Sequence, residues 1–247
     1  MGLRMLPIVD AVYGLARAVL LPPLRYGIRW TIDGAAAIPE HGPVILASNH
    51  VSYLDPLALA YLADRRRRRV RFLAKAELFE KRGLGAALRS IGQIPVSRGT
   101  VSAAASLDAA VDALRRGECV AVFPEGTISL DLDPMAGKSG TARLAQASGV
   151  PVVPVGLWGV HRILFKGRKP RWRWGVAEAA VVGPPLSVEP AEDITAATDR
   201  IMAAICAAVA RARELYPQRP AAGDDGWWVR PPESARLRSS RKEADAS

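Results

Sequence analysis

Short apolar runs alternate with helical stretches along most of this chain, and this alternation constrains the fold more than any other feature. Strands are predicted at 43–48, 70–74, 94–97, 119–123 and 150–158, with one or two more in 172–183. Helices are predicted at 56–63, 77–90, 102–116, 141–147 and 192–215. Strands separated by helices are typical of an α/β fold with a mainly parallel central sheet flanked by helices. Polar residues that follow such strands gather at the carboxyl edge of the sheet.

The N-terminal region is apolar but does not have the pattern of a membrane span. Asp10 and Arg17 interrupt the apolar run, and Pro22 and Pro23 are expected to end it, so no uncharged stretch approaches roughly 20 residues. At helical spacing, one apolar face is formed by Met5, Val9, Val12, Tyr13, Ala16 and Leu20. The sequence leaves two alternatives for this face, a membrane interface or the protein's own core.

Three regions are predicted along the 247 residues. Residues 1–30 form an amphipathic, membrane-associating helix region, and residues 31–216 form the α/β domain. Residues 217–247 are rich in Pro, Gly, Ser, Asp and Arg, which predicts a mostly disordered tail. Within that tail, Trp227 and Trp228 are candidates for docking or for membrane contact.

The chain is basic, with a net charge of +10 and a pI of about 10.2, which favours anionic partners such as nucleic acid, anionic lipid or phosphorylated substrates. The densest patch, Arg65 to Arg69, is predicted to be a solvated turn between a helix and a strand. No zinc-finger, RNA-recognition or helix-turn-helix signature is present, so nucleic acid is not an expected partner.

His50 and Asp55, in the stretch SNHVSYLDPL (48–57), are the first candidates for catalysis. In a helix, residues five apart would differ by about 140° around the axis, so the two side chains meet only if 50–55 is a loop that folds back. Asp55 before Pro56 is also a normal helix start, with Asp as the N-cap. If the pair meets, the carboxylate fixes the histidine tautomer and leaves the other ring nitrogen to act as a general base.

Two other chemistries compete for the same stretch. Ser52 would complete a Ser-His-Asp set, but the chain has no G-x-S-x-G elbow, and a triad packed into one short loop is rare. A metal site would need more ligands than one histidine and one aspartate. From these residues alone, catalysis and a polar helix start remain equally open.

Two further loops follow predicted strands. FPEGTIS (123–129) places Glu125 and Gly126 after Pro124, where a tight turn exposes backbone N–H groups. IPVSRG (94–99) places Arg98 after another strand, and arginine is a natural bidentate ligand of phosphate. His50, Arg98 and Glu125 are therefore expected to converge on one crevice at the carboxyl edge of the sheet.

Taken together, these residues resemble the 1-acylglycerol-3-phosphate acyltransferase family of glycerolipid acyltransferases. Four blocks match in order, namely NHVSYLD (49–55), GQIPVSRG (92–99), FPEGT (123–127) and VPVVPVG (150–156). The resemblance implies that His50 is the general base on the acceptor hydroxyl and that Asp55 orients it. It also implies direct attack on a thioester, with no acyl-enzyme. The substrate-binding residues that it implies are Arg98, Glu125, Gly126, Thr127, Lys75 and Lys138.

The resemblance further implies the partners of the chain. An acyl group would pass from acyl-CoA or acyl carrier protein to lysophosphatidic acid, giving phosphatidic acid for phospholipid biosynthesis, with no metal and no further cofactor. The protein would lie on an anionic lipid surface at the cytoplasmic face of the cell membrane, as a peripheral or monotopic protein.

One departure from the family pattern leaves the acceptor open. The third block usually continues with Arg after the Thr, and here that residue is Ile128. An alternative is the same chemistry on a different lyso-lipid. A hypothesis of another class is a non-catalytic basic protein that binds membranes or nucleic acid, which would leave the spacing of the polar loops unexplained.

Overall fold

A seven-stranded sheet with helices on both faces forms the centre of the fold. The computed structural model describes residues 6–96 and 100–229, with side chains described for 12–96 and 104–229. The strands are β1 (Ile28–Asp33), β2 (Val44–Ser48), β3 (Val70–Lys75), β4 (Ile94–Val96), β5 (Cys119–Val122), β6 (Val152–Trp158) and β7 (Val176–Val182). The helices are α1 (Leu6–Gly27), α2 (Asp55–Asp64), α3 (Ala76–Glu80), α4 (Leu84–Ser90), α5 (Thr100–Arg115), α6 (Gly140–Ser148) and α7 (Ile194–Leu215).

The strand order is β1-β7-β6-β2-β5-β3-β4, and neighbouring strands are parallel except for β6 and β7. The predicted α/β class and mainly parallel sheet are therefore confirmed. Because β7 is antiparallel to β6 and parallel to β1, the first residues of β1 and β7 lie at the carboxyl edge of the central strands. The loop after β2 lies at that same edge.

The central strands are apolar throughout because both of their faces are covered. In β2, Ile45 and Ala47 belong to the core beneath α5, α6 and α7, whereas Val44 and Leu46 belong to the core beneath α1 and α2. On the first side, Gly156 lets the α7 backbone approach β6 closely, since a Cβ there would lie 2.3 Å from the carbonyl carbon of Ala208.

Helix α1 differs from its prediction in its length and in its apolar face. It continues through Pro22 and Pro23 to Gly27, and the carbonyls that lose their helical hydrogen bonds belong to the exposed residues Ala18 and Val19. Tyr13 of the predicted face is half-buried, but Leu20 is exposed. Met5 lies outside the described residues. Across residues 6–96 and 100–229, no helix is both long and apolar enough to cross a bilayer.

Three other predicted boundaries change in the structure. The helix predicted over 77–90 is two short helices, α3 and α4, because Gly83 takes a positive φ of +77° between them, which a helix cannot accommodate. The predicted boundary between residues 30 and 31 falls inside β1, an unpredicted strand that pairs with β7. The region 172–183 holds one strand.

The arginine run is not a uniformly solvated turn. Arg68 is buried and donates to the backbone carbonyls of Pro39, Gly42 and Gly117, at distances of 3.0, 2.5 and 3.2 Å. This guanidinium therefore ties the turn to two neighbouring loops, and the prediction of a solvated patch is wrong at this position.

The segment after α7 packs against the fold as far as it is described. Trp228 is only 2% exposed, its indole N–H donates to Asp224, and Arg162 lies 3.9 Å from its ring centroid. The prediction of a disordered tail is therefore wrong for residues 217–229, as is the role of Trp228 as a surface contact. Residues 230–247 lie outside the described part of the chain.

Candidate active site

The loop between β2 and α2 brings His50 and Asp55 into contact. The Asp55 Oδ2 atom lies 3.0 Å from His50 Nδ1 and accepts hydrogen bonds from the backbone N–H groups of Val51 and Ser52, both at 2.7 Å. The predicted fold-back of the loop is confirmed. The predicted capping role is wrong, because Leu54 is the N-cap and Asp55 is the first residue of α2, with its carboxylate turned back toward the loop.

This geometry favours one tautomer of His50. A carboxylate can only accept, so Nδ1 carries the proton that points at Asp55, and Nε2 is left with a free lone pair. The His50 side chain is 16% exposed and the carboxylate is fully buried. The imidazole also stacks on Phe123, with centroids 4.2 Å apart and planes inclined by 22°. The ring is thus held by Asp55 and Phe123 and is partly exposed, and Nε2 is the nitrogen that a general base at this position would use.

Asn49 fixes the start of the loop and was not singled out from the sequence. Its side-chain amide donates to the carbonyl of Leu157 at 3.0 Å and accepts from the N–H of Leu157 at 2.8 Å. The fully buried amide thereby continues the β2–β6 pairing by one side chain. A polar amide directly after an apolar strand was the available signal.

Glu125 holds the backbone around His50. One carboxylate oxygen accepts from the N–H of His50 at 2.8 Å, and the other accepts from the N–H of Met135 at 3.0 Å. The residue is 2% exposed. Burial raises the pKa of this carboxyl, and the two backbone hydrogen bonds lower it. Burial has the larger effect, so the pKa is about 7. The predicted convergence of Glu125 with His50 is confirmed, whereas contact of Glu125 with a substrate remains a prediction.

Of the other predicted ligands, Gly126, Thr127 and Lys138 lie at the FPEGT turn, and Lys75 lies at the end of β3. Gly126 has a φ of +69°, and a Cβ placed there would lie 3.3 Å from Nζ of Lys138, so this exposed lysine sits beside the FPEGT turn. Thr127 follows in the same turn. Lys75 is exposed at the end of β3, which is separated from β2 by β5. Arg98 lies outside the described residues.

The side chains that supported other chemistries are engaged elsewhere. Ser52 is fully buried, and its hydroxyl donates to the carbonyl of Leu164 at 2.7 Å, so it does not form a triad with His50. Ile128, where the family pattern has Arg, is 7% exposed. In the part of the chain that the structure describes, no three His, Cys, Asp or Glu side chains are grouped to hold a metal ion.

Glu178 is a third buried carboxyl near the site, after Asp55 and Glu125, and it was not predicted from the sequence. It is fully buried on β7 and accepts from the N–H of Val160 at 2.6 Å. Burial, and secondarily the charge of Asp55, raise the pKa of this carboxyl well above its ordinary value. A lone charged residue in the apolar run VAEAAVV was the signal for it.

Comparisons with known proteins agree with this architecture. A model of the family described as Acyltransferase matches residues 29–158. A 1-acyl-sn-glycerol-3-phosphate acyltransferase from Borreliella burgdorferi is 29% identical over 141 residues, which cover 57% of this chain and 55% of that protein. The alpha form from Homo sapiens is 30% identical over 180 residues, covering 71% of this chain and 62% of its own length.

The chain spans about half the length of the curated relatives it matches, down to 39% of a chloroplastic relative from Brassica napus. Among solved structures, the 1-acyl-sn-glycerophosphate (LPA) acyltransferase PlsC from Thermotoga maritima superposes with a TM-score of 0.63. That match has 24% identity and covers 87% of this chain and 89% of that one, which establishes the likeness of the fold.

Proposed function

Because the chain belongs to the Acyltransferase family, we propose that it moves a fatty acyl group from a thioester to the free hydroxyl of lysophosphatidic acid, giving phosphatidic acid. The observation that carries this proposal is the His50–Asp55 contact, in which the buried carboxylate lies on Nδ1 and leaves Nε2 as the remaining ring nitrogen. The relatives named as 1-acyl-sn-glycerol-3-phosphate acyltransferases support the choice of acceptor.

The mechanism follows from the orientation of the His50 ring. Nε2 removes the proton of the acceptor hydroxyl as its oxygen attacks the thioester carbonyl carbon, and Asp55 stabilises the imidazolium that forms. The tetrahedral intermediate then collapses with cleavage of the C–S bond, and the imidazolium returns the proton to the leaving thiolate. An ester and a free thiol are formed, and no acyl-enzyme is required.

The donor and the surroundings of the reaction belong to the same proposal. The donor is acyl-CoA or acyl carrier protein, and neither a metal nor a further cofactor takes part. The chain works on an anionic lipid surface at the cytoplasmic face of the cell membrane, as a peripheral or monotopic protein, and nucleic acid is not a partner. The net charge of +10 supports an anionic surface.

The acceptor phosphate is expected to meet cations around the FPEGT turn. Lys138 lies beside Gly126, and we propose Arg98 and Lys75 as further ligands of the phosphate. A second candidate function keeps the chemistry but uses another lyso-lipid, and it is favoured by Ile128, whose buried apolar side chain replaces the arginine of the family pattern.

An acceptor panel with one acyl-CoA donor separates these two candidates. We expect kcat/KM to be highest for lysophosphatidic acid, because its phosphate monoester carries more negative charge toward Lys138 than a zwitterionic lyso-lipid does. The measurement is the initial rate of each product by mass spectrometry. If lysophosphatidic acid is the poorest acceptor, the first candidate is wrong and the second stands.

The variant Glu125→Gln tests what the buried carboxyl does. A glutamine has one carbonyl oxygen, so the N–H of either His50 or Met135 loses its acceptor and faces an NH₂ group instead. We expect kcat to fall about tenfold with KM for the acceptor little changed, because the base is displaced rather than the substrate. The exposed Glu77→Gln is the matched control, and a raised KM at unchanged kcat would favour acceptor binding.

The same variant also changes how stability depends on pH. The folded-state pKa of Glu125, about 7, lies above the ordinary value of 4.5, so the folded state holds the proton more tightly. The free energy of unfolding should therefore fall, by about 3 kcal/mol, as pH rises from 4.5 to 7. The measurement is the free energy of unfolding of the parent and of Glu125→Gln, obtained by urea denaturation at each pH. The difference between the two proteins isolates the contribution of Glu125 from those of His161 and Glu178, which both proteins share. Parallel pH profiles would contradict the assignment.

A further inference from the structure

The loop between Arg162 and β7 has an unusual sequence, FKGRKPRWRWG (165–175). It carries five Lys or Arg residues and no Asp or Glu, and every residue from 167 to 174 is exposed. Arg168 turns toward Trp227 and Asp225, with its guanidinium 4.1 Å from the ring centroid of Trp227. Lys169, Arg171 and Arg173 therefore provide the outward-facing charge of this loop, which we call the basic-aromatic loop.

Two tryptophans of the loop are exposed, unlike the buried Trp158 and Trp228. Trp172 is 45% exposed and Trp174 is 71% exposed. Both rings contact the end of α1, since a Cβ on Gly27 would lie 3.0 Å from Trp174 and 3.1 Å from Trp172. An indole with an apolar body and a polar N–H is the side chain that prefers the boundary between lipid and water.

Helix α1 continues this surface. Five exposed apolar residues form a single stripe along this helix, namely Leu15, Val19, Pro22, Pro23 and Tyr26. Their spacings of four, three, one and three positions place them on one face. The stripe is exposed and ends where Trp172 and Trp174 contact Gly27. An apolar stripe bordered by cations is the pattern that lies in the interface of an anionic bilayer.

The basic-aromatic loop lies at the edge of the sheet that carries the candidate active site. It leads into the first residue of β7, at the carboxyl edge of the central strands, where the loop after β2 also lies. The two loops are joined directly, because the Ser52 hydroxyl donates to the carbonyl of Leu164 at 2.7 Å. Tyr53, between His50 and Asp55, is exposed at the same edge.

We infer that the basic-aromatic loop and the apolar stripe of α1 form one docking surface for an anionic bilayer, which borders the His50 edge of the sheet. Trp172 and Trp174 enter the headgroup region while Lys169, Arg171 and Arg173 meet lipid phosphates. A lyso-lipid leaving such a bilayer would reach His50 without crossing bulk water. This last step rests on the proposed function, whereas the docking itself is measured without acyl transfer.

The charge of the loop is tested by vesicle co-sedimentation of the whole chain. Vesicles of phosphatidylcholine alone are compared with vesicles that also contain phosphatidylglycerol. The variant Lys169→Gln/Arg171→Gln/Arg173→Gln should bind the anionic vesicles on the order of 100-fold less, since each cation near the surface contributes about 1 kcal/mol. Arg115→Gln/Arg116→Gln/Arg143→Gln removes the same charge from the opposite helical layer and should retain most of the binding.

The tryptophans are tested by fluorescence quenching with lipids that carry bromine on the acyl chain. Quenching should occur in the parent and should be largely lost in Trp172→Phe/Trp174→Phe, a pair that keeps the aromatic packing on Gly27. Equal vesicle binding by the parent and the charge variant, or unchanged quenching in the tryptophan variant, would overturn the inference. So would a parent that binds RNA but neither vesicle.

An activity assay separates this inference from the proposed function. With a short-chain lysophosphatidic acid dispersed in detergent, the loop variants should retain the parental rate of acyl transfer, because no bilayer is involved. If the parent shows vesicle binding of the expected kind but no acyl transfer to any lyso-lipid, the proposed function fails and the docking surface stands.

Discussion

Replacing His50 with alanine is expected to lower the kcat for acyl transfer by about three orders of magnitude while the fold is retained. The variant loses the imidazole whose Nδ1 contacts the buried carboxylate of Asp55. Among the described residues, no other histidine at this edge has such a partner. A general base contributes this much because an unassisted alcohol is a weak nucleophile at neutral pH. The measurement is the steady-state rate of ester formation, with thermal unfolding recorded on the same samples.

The exposed His41 provides the matched control, since His41→Ala removes a histidine from a surface loop. That variant should keep the parental rate. A His50→Ala protein that unfolds at the parental temperature and retains a tenth or more of the parental kcat would contradict the role of His50. The third histidine, His161, is unsuitable as a control because it is buried and hydrogen-bonded to the carbonyl of Trp228.

Replacing Asp55 with asparagine is expected to lower kcat by about two to four orders of magnitude, with a smaller effect on stability. Asparagine has nearly the same shape, so its oxygen can still accept from the N–H groups of Val51 and Ser52. It carries no charge, however, and cannot stabilise an imidazolium beside it. Loss of rate with a nearly parental unfolding temperature is therefore the expected pattern.

Two comparisons make the Asp55 result specific. Asp55→Ala leaves two buried N–H groups without an acceptor, so it should lower the free energy of unfolding by about 1–3 kcal/mol for each group. Asp108→Asn, an exposed change on α5, should alter neither rate nor stability. If Asp55→Asn retains the parental rate, Asp55 is only a structural residue of the loop.

The sheet was predictable from the sequence because its central strands are buried on both faces. A strand such as β2 is apolar at every position, so its length and its Gly/Pro flanks identify it without any alignment. β1 was missed because it lies at the edge of the sheet, where only one side must be apolar and where IRWTID carries polar residues. Strand direction was also hidden, since nothing in the sequence of β7 distinguishes an antiparallel partner from a parallel one.

The site was predictable to the extent that its side chains contact each other. His50 and Asp55 are close in sequence and chemically complementary, so their contact was expected on the condition that the loop folds back. The bonds from Glu125 to the backbone of His50 and Met135 could not be predicted, because every residue has a backbone N–H and such bonds leave no pattern. The order of residues 217–229 was also not predicted. The composition of this segment predicts disorder, and composition does not show that one buried indole, that of Trp228, anchors it.

We propose that this chain esterifies lysophosphatidic acid directly, with His50 as the base. The most direct test is to incubate the purified chain with lysophosphatidic acid and an acyl-CoA and to measure phosphatidic acid and free CoA by mass over time. We expect equal amounts of the two products, formed only when the acceptor is present. Free CoA released at the same rate without the acceptor, or no phosphatidic acid at all, would contradict it.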